Sequence, residues 1–506
     1  MLDALSQAID SAFSWPVMWY LIAGVFIGYL VGALPGMNRT TAIALLLPFT
    51  VELSPLVALS FLIGINKGGA AGSAVSAILI NVPGEPSSVV TTLDGYPMTR
   101  QGKAGKALQI GLIASVIGDL FATIVLILLT APLAKIALGT GPIELSALLV
   151  FTMTFIAAAS GTSFYKGILS GLMGLLLATV GLDPETGLPR LTFGYLELQD
   201  GIPLLAVAIG TLALAEIFAQ TDRGKHGSYD RQPPSASSKL NDRLSWIEFK
   251  AIAPAILKGS LVGIGVGILP GLGATLSSFL GYNWVKRTSK TPELFGAGAP
   301  EGVAASESAD NASVPGSLVP VFAIGLPGSL STALLMGAFM MHGITPGPFL
   351  LRDDSVLVYG IFIAMMMASL VLLVVGYVGQ RFFSKIILVG DRVILPIIVF
   401  FCFMGAYLES GSMFSVFLML GFAVAGYLMK KFNYSFVTFV VGYVLGPMAE
   451  LSFRQAAILS DGNPIALLDH PFAILFLVLA IFSAWRLIKW NTEALAQTDA
   501  NAKSRV

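Results

Sequence analysis

The sequence predicts an all-α membrane protein with many spans, built as two repeated halves that contain interrupted helices. Hydrophobic residues make up 55% of the 506 positions and charged residues only 11%, with a mean hydropathy of +0.82. Soluble proteins carry about 25% charged residues, so this composition is typical of a membrane protein. The 54 glycines and 27 prolines exceed what uninterrupted spanning helices need, which indicates helix breaks.

Long apolar runs predict the spanning segments. Because backbone groups in hydrocarbon must find partners within the chain, and strand-like alternation is absent over most of the length, helices are favoured over a barrel. About twelve transmembrane or re-entrant helical segments are expected. The clearest candidates are 16–34, 108–136, 142–160, 201–220, 355–379, 393–409, 412–429 and 471–488.

The distribution of polar residues divides the chain. We expect a first half over 1–220, a polar linker over 221–250, a second half over 251–491 and a polar tail over 492–506. The linker holds six basic and four acidic residues, so the positive-inside rule predicts that linker and tail are cytoplasmic. The base-free first 38 residues predict an N-terminus on the opposite side.

Several function classes are not supported by the composition. With 29 basic and 29 acidic residues there is no electrostatic footprint for nucleic acid. The 3 histidines and 1 cysteine are scattered, and neither a Walker A nor a GxSxG motif occurs. We therefore expect no enzyme, no cofactor and no metal apart from a transported Na⁺.

The two halves repeat when the chain is shifted against itself by 235 residues. The segment "GVFIGYLVGALPGMNRTTAIALLLP" (24–48) then meets "GSLVGIGVGILPGLGATLSSFLGYN" (259–283). Glycines at a spacing of four lie on one helix face and allow a neighbouring backbone to approach closely. The matched positions are Gly24 with Gly259, Gly28 with Gly263, Gly32 with Gly267, Gly36 with Gly271, and Pro35 with Pro270.

The repeat continues downstream. Residues 67–73 ("KGGAAGS") are aligned with 301–307 ("EGVAASE"), and residues 80–88 ("INVPGEPSS") with 324–332 ("IGLPGSLST"). Two matching halves with broken helices are typical of secondary transporters, whose binding site lies at the repeat interface. An inverted arrangement of the halves is the favoured one.

The Pro-Gly breaks predict the substrate site. Helix N-termini within the membrane attract anions, and basic side chains beside them can pair with an anionic substrate. Ordinary surface loops and snorkelling surface charges are the alternative interpretation. The candidate substrate-binding residues are Asn38, Arg39, Lys67, Asn81, Pro83, Gly84, Ser87, Ser88, Pro327, Gly328, Ser329 and Ser331.

A second set of residues predicts a cation-coupling site. The stretch "EGVAASESADNASVPG" (301–316) has no apolar run long enough to span. It is either an exposed loop or a re-entrant segment whose acids and amides bind a coupling cation, together with free carbonyls at the breaks. The candidates are Gly36, Gly271, Thr275, Ser306, Glu307, Asp310, Asn311 and Thr332.

These motifs resemble the large membrane subunit of the tripartite tricarboxylate transporters, the TctA family. The resemblance covers nearly the whole chain and rests on long motifs in order. They are "GALPGMNRTTAIALLLPFT", "ILINVPGEPSSVVTTLDGYPMTRQGKAGKAL", "GILPGLGATLSSFLGY", "GAPEGVAASESADNASVPGSLVPVFAIGLPGS", "HGITPGPFL" and "GYVLGPMAE". The chain departs from the family pattern at Asn38 and Arg39, and again at Lys67, which puts the standard tricarboxylate substrate in question.

The resemblance implies a subunit of the bacterial inner membrane. Its implied partners are a small four-helix membrane subunit and a periplasmic solute-binding protein that delivers a carboxylate, including citrate-like acids. It also implies uptake driven by a cation gradient, with Na⁺ or H⁺ as the coupling ion. A channel or exporter that acts without a binding protein is the alternative, and an intramembrane enzyme would need a nucleophile–base pair or metal ligands that the sequence does not suggest.

Overall fold

The fold consists almost entirely of helices. The computed structural model describes residues 2–34, 37–159, 163–223, 243–386, 391–463 and 469–485. Within these ranges the strands Gly181–Leu182 (β1) and Pro189–Arg190 (β2) form one short antiparallel hairpin. The predicted all-α class is therefore confirmed.

The helices of the first half follow one another with several interruptions. They are α1 (Leu2–Ala12), α2 (Trp15–Ala33), α3 (Arg39–Leu46), α4 (Pro55–Ile80), α5 (Val89–Arg100), α6 (Ala104–Ala137), α7 (Pro142–Ala159), α8 (Phe164–Ala178), α9 (Leu204–Ala208) and α10 (Ala215–Arg223). Short 3₁₀ turns at Leu47–Thr50, Pro86–Ser88 and Leu196–Leu198 lie between them, and a π-helical turn, Ile209–Leu214, joins α9 to α10.

The second half begins with the same succession of elements. Its helices are α11 (Trp246–Gly267), α12 (Gly273–Thr288), α13 (Pro300–Gly316), α14 (Val319–Ile324), α15 (Leu330–Met341), α16 (Leu350–Asp353), α17 (Ser355–Ile386), α18 (Asp391–Ser410), α19 (Met413–Lys431), α20 (Phe436–Leu459) and α21 (Pro471–Trp485). A 3₁₀ turn, Pro292–Leu294, precedes α13.

Seven helices in the described ranges are long and apolar enough to cross a membrane. Four of them, α2, α6, α17 and α19, coincide with runs predicted from the sequence. The other predicted runs correspond to the shorter apolar helices α7, α18 and α21 and to the segment that α9 and α10 form together. The prediction missed α4, α11 and α20. In α4 the apolar run is interrupted by Asn66 and Lys67, but 94% of its most apolar window is buried in protein.

The matched glycines form close helix contacts in both halves. A Cβ atom on Gly28 of α2 would lie 2.3 Å from the Ile65 carbonyl oxygen of α4. In the second half, a Cβ atom on Gly263 of α11 would lie 2.4 Å from the Ala309 carbonyl oxygen of α13. Only glycine allows backbones to come this close. The helix pairs α2–α4 and α11–α13 are therefore equivalent, as the glycine spacing predicts.

These contacts correct one part of the predicted alignment. Ile65 opposes Gly28 where Ala309 opposes Gly263, so the α4–α13 equivalence has an offset of 244 residues instead of 234. The predicted match of 67–73 with 301–307 is therefore wrong by ten residues. The equivalent of Lys67 is Asn311, and Asn66 corresponds to Asp310. The helices hid this register because a ten-residue insertion in the second half lies before α13.

The second pair of Pro-Gly breaks has the predicted symmetry. Asn81, with φ of 58°, ends α4 in the left-handed conformation, and Gly325, with φ of 75°, ends α14 in the same way. Both residues precede a Pro-Gly pair that leads into the next helix. Of the first pair of breaks, Pro35 and Gly36 lie outside the described residues, whereas Gly271 adopts φ of +83° between α11 and α12.

The stretch 301–316 is a buried helix, α13, so the alternative of an exposed loop is wrong. Its side chains are buried from Gly302 to Gly316, because α11 and α12 of its own half and α6 of the first half pack around it. In a related manner α4 packs against α17 of the second half. The two halves thus interlock through their most polar helices.

The linker and the tail are described only in part. Helix α10 ends at Arg223 and α11 begins at Trp246, so the last five residues of the segment 221–250 are helical. Residues 224–242 and the predicted tail 492–506 lie outside the described residues. The bounds of the two halves and their relative orientation in the membrane stay predictions.

A polar network lies in the loop between α8 and α9. Arg454 of α20 donates to Asp183 (2.5 Å) and to Glu450 (2.6 Å), and Arg190 donates to Glu450 (2.5 Å). The hydrogen bond from Arg454, aided by the backbone N–H groups of Thr186 and Glu185, lowers the pKa of Asp183. This network attaches the β-hairpin to the end of α20.

Candidate functional site

A small cavity lies between the two halves, where several helices begin or end inside the protein. Its volume of about 10 Å³ gives room for roughly one water molecule. Residues of both halves line it, namely Arg39, Asn66, Gly267, Gly273, Ala274, Ser313, Val314, Ser317, Gly328, Ser329 and Ser331. Four predicted substrate-binding residues, Arg39, Gly328, Ser329 and Ser331, are therefore brought together here.

Three helices present their N-termini to this cavity. Helix α3 begins at Arg39, α12 begins at Gly273, and Ser329 is the N-cap of α15. The first N–H groups of a helix lack intrahelical partners and carry the positive end of the helix dipole. Their convergence makes the cavity favourable for an anion. At the same place α11 ends at Gly267 and α13 at Gly316, which supplies carbonyl groups.

Arg39 adds a fixed positive charge to these helix ends. Asn38 caps α3 by accepting from the Thr41 N–H (2.8 Å), and the Arg39 N–H donates to the Glu85 carboxylate (2.7 Å). The Arg39 guanidinium lies 3.4 Å from Glu85 and 3.7 Å from Asp310. Its Nη1 is buried and has no hydrogen-bond partner among the described residues, so one donor group remains for a ligand.

The two Pro-Gly tips are held by equivalent serine pairs. Ser88 donates to Ser73 (2.9 Å) in the first half, and Ser329 lies 3.4 Å from Ser317 in the second. The second tip also contacts the break after α11, because the Gly271 N–H donates to the Gly328 carbonyl (2.9 Å). Other predicted residues at these tips are buried or half-buried, namely Pro83, Gly84, Ser87, Pro327 and Thr332.

A second polar cluster surrounds Glu307 on α13. Thr91 of α5 lies 2.5 Å from one Glu307 carboxyl oxygen, and Ser115 of α6 donates to the other at 3.1 Å. Asn311 donates to Ser115 (2.8 Å), while Ser306 lies 3.0 Å from Thr91. Three predicted cation-coupling residues thus share one site, but Asp310 faces Arg39 instead.

Lys67 lies in a third, separate cluster. Its ammonium donates to Asp119 (2.8 Å), Thr123 (3.1 Å), the Met365 carbonyl (2.8 Å) and Ser369 (3.1 Å). These groups belong to α6 and α17, so the lysine joins three helices. Lys67 is not among the residues that line the cavity. Its geometry is that of a buried ion pair, and a direct contact with substrate stays a prediction.

The remaining predicted residues lie elsewhere. Asn81 is exposed at the end of α4, and Thr275 is half-buried in the first turn of α12 without lining the cavity. Gly36 lies outside the described residues. Gly271 borders the cavity through its hydrogen bond to Gly328.

The prediction missed several residues of these clusters. Glu85 stands in the motif "NVPGEPSS", but the amide and hydroxyl residues around it were taken as the ligands. Asn66 would have been found from the correct repeat register, since it corresponds to Asp310. Asp119 carried a signal as an acid within an apolar run, but only the folded chain shows that Lys67 is its partner.

Within the described residues no group of three or more His, Cys, Asp and Glu side chains could hold a metal ion. The polar clusters consist instead of carboxylates with hydroxyl, amide and backbone groups. Such oxygen-rich sites suit protons or alkali cations. The arrangement can therefore bind an anion in the cavity and a monovalent cation beside it.

Comparison with known proteins identifies relatives over nearly the whole chain. A family model described as "Tripartite tricarboxylate transporter TctA family" matches residues 18–441. An Agrobacterium vitis protein, described as an uncharacterized 52.8 kDa protein in the TAR-I ttuC' 3' region, is 36% identical over 481 residues, which cover 95% of each chain. A second protein of that organism, from the TAR-II ttuC' 3' region, is 34% identical over 216 residues, covering 43% of this chain and 89% of that protein. No solved structure matches.

Proposed function

We propose, from the premise that this chain belongs to the tripartite tricarboxylate transporter TctA family, that it is the permease subunit of a carboxylate importer. Family membership makes it a multi-pass membrane protein of a transport system. The finer proposal is secondary uptake of a di- or tricarboxylate across the bacterial inner membrane, driven by a cation gradient. A periplasmic solute-binding protein delivers the substrate, and a small four-helix membrane subunit completes the complex.

The observation that carries this proposal is the surrounding of Arg39. Its guanidinium has an unused donor in a cavity where three helices begin. A carboxylate in the cavity would interact with the guanidinium and with the positive ends of α3, α12 and α15. The acids Glu85 and Asp310 lie within 4 Å of the same guanidinium. A substrate carboxylate would compete with them, which favours binding together with a cation.

The size of the cavity supports a carrier. A volume of about 10 Å³ is far too small for a citrate-like acid, so the halves must move apart to admit one. Opening to one side at a time is alternating access, with the site at the repeat interface. The interlocked polar helices α4 and α13 are candidates for the elements that move.

Replacing Arg39 tests the proposal. We expect Arg39→Gln to lower uptake of radiolabelled citrate and of other di- and tricarboxylates by about 10- to 100-fold, because a hydrogen bond to a charged group contributes about 1.5–3 kcal/mol. Uptake is measured in cells that also produce the small subunit and the binding protein. Arg352→Gln is the matched control, since Arg352 is 65% exposed and pairs only with Asp353 among the described residues. Equal uptake by the Arg39→Gln variant and wild type would exclude Arg39 from the site.

A channel or exporter that needs no binding protein is the competing function. Proteoliposomes with the chain and the small subunit distinguish the two. An importer of the proposed kind accumulates substrate only when the binding protein and an imposed Na⁺ or H⁺ gradient are both present. Accumulation without the binding protein would contradict the tripartite mechanism.

A further inference from the structure

The cluster around Glu307 contains a fully buried carboxyl group with neutral partners. Glu307 is 0% exposed, and its carboxyl oxygens contact the hydroxyl groups of Thr91 and Ser115. An ionised carboxylate without a counter-charge is costly to bury, and such groups usually become neutral. The cluster lies where α13 of the second half meets α5 and α6 of the first, which is a junction that must change when the halves move.

The hydrogen bonds of the cluster can be counted proton by proton. Four contacts require a hydroxyl or carboxyl proton: Thr91 to Glu307, Thr91 to Ser306, Ser306 to the Val303 carbonyl, and Ser115 to Glu307. The three hydroxyl groups supply one proton each. With an ionised Glu307 one contact would therefore place two oxygen lone pairs against each other.

A proton on Glu307 completes the count. The carboxyl O–H donates to Thr91, Thr91 donates to Ser306, and Ser306 donates to the Val303 carbonyl at 3.1 Å. On the other side Asn311 donates to Ser115, which donates to the second carboxyl oxygen. The Asn311 amide is oriented by its bond to the Glu307 backbone carbonyl (3.0 Å). Every contact then has one donor and one acceptor.

The charges around Glu307 act in the same direction. Those that act on it most are negative, namely Asp310 on α13 and Glu85 before α5. Tyr29 of α2 is the neighbouring phenol. Both acids share the Arg39 guanidinium, which therefore does not serve as the counter-ion of Glu307.

Ionisable groups on the other helices that pack on α13 have partners of their own. Asp119 of α6 holds Lys67 of α4, and Asp94 of α5 accepts from three backbone N–H groups of residues 296–299 and from Tyr282 of α12. Lys258 of α11 donates to Thr288. A free Na⁺ would need the same oxygen lone pairs that now receive hydrogens from Asn311, Ser115 and Thr91.

We propose that Glu307 is a proton-binding site and that H⁺ is the ion coupled to substrate movement. In this closed arrangement the side chain is a carboxylic acid. When the junction of α13 with α5 and α6 opens, Glu307–COOH gives H⁺ to water and becomes Glu307–COO⁻. This inference rests on the proposed transport function for its role in coupling, but the protonation itself can be tested on the chain alone.

Infrared difference spectroscopy tests the protonation. The purified full chain at neutral pH is compared with Glu307→Gln, whose amide can donate to Thr91 and accept from Ser115 as the acid does. We expect wild type to show a protonated-carboxyl C=O band that the variant lacks. Glu144→Gln is the matched control, because Glu144 pairs with His470 (2.6 Å) and should contribute only carboxylate bands. Loss of a carboxylate band in Glu307→Gln instead would overturn the inference.

Transport measurements test the coupling. In proteoliposomes with both partner proteins, labelled citrate and related acids should accumulate in response to a pH gradient at equal Na⁺ on both sides. Glu307→Gln should lose this accumulation but keep exchange of internal for external substrate. Wild-type accumulation driven by Na⁺ alone, or unchanged pH-driven accumulation in the variant, would overturn proton coupling while the transport function stands. Absence of any carboxylate transport by wild type would instead reject the proposed function and leave the spectroscopic result intact.

Discussion

Replacing Lys67 by methionine should destabilise the folded chain strongly. The Lys67 and Asp119 side chains are only 1% and 2% exposed, and the ammonium makes four hydrogen bonds to groups on α6 and α17. Methionine keeps most of the volume but leaves Asp119 buried without its counter-charge. Removing one partner of a buried ion pair costs about 3–5 kcal/mol, which corresponds to a factor of about 10² to 10³ in the folding equilibrium.

The double variant separates this role from substrate binding. Replacing Lys67 by Met and Asp119 by Leu together removes both charges, so most of the lost stability should return. Unfolding of wild type, both single variants and the double variant is followed by denaturant titration in detergent micelles, which yields the coupling free energy of the pair. If Lys67 is a structural partner only, the double variant also keeps its affinity for carboxylates.

Two results would refute this reasoning. A loss of less than about 1 kcal/mol in Lys67→Met would match an exposed pair instead of a buried one. A double variant that folds well but no longer binds carboxylates would show that Lys67 acts on the substrate after all. The second outcome would restore the residue to the site predicted from the sequence.

Two further predictions concern packing and pH. Gly28→Leu should prevent α2 from packing on α4 and abolish production of folded protein, as judged by size-exclusion chromatography, because a Cβ atom would lie 2.3 Å from a backbone oxygen; Gly421→Ala is the control, since nothing lies within 4 Å of that Cβ position. Asp183→Asn should lower the melting temperature at pH 7 but not at strongly acidic pH, because the folded-state pKa of Asp183 is lowered, so its stabilisation is present above the unfolded value of about 3.9 and is lost as the pH falls through the folded value.

Each of these predictions has a clear contrary outcome. A folded and monodisperse Gly28→Leu variant would show that α2 and α4 can separate without loss of the fold. A melting difference between wild type and Asp183→Asn that stays constant from neutral to strongly acidic pH would mean that the Arg454 hydrogen bond does not depend on the charge of Asp183.

Much of the fold was accessible from the sequence because the relevant signals are local. Apolar runs indicated α2, α6, α17 and α19, and glycines at a spacing of four indicated the face on which α2 and α11 pack. Helix α4 escaped because its polar residues interrupt the hydropathy signal. They are accommodated by partners on other helices, which no local pattern reveals.

The candidate site was accessible only in part for a similar reason. The Pro-Gly motifs pointed to Arg39, Ser329 and Ser331, which do meet at one cavity. Glu85 was overlooked although it stands in the quoted motif, since a lone acid in a loop has no distinctive signal. The misaligned repeat register hid the equivalence of Asn66 and Asp310.

The sequence by itself determined the membrane class, the family resemblance and the two-fold repeat, because hydropathy, glycine spacing and helix breaks act through near neighbours in the chain. Only the tertiary structure decided which charges meet. It directs Arg39 to Glu85 and Asp310, Lys67 to Asp119, and Glu307 to uncharged hydroxyl groups. The physical reason is that a buried charge is stabilised by whatever group lies within a few ångströms, and these partners come from helices up to about 300 residues apart.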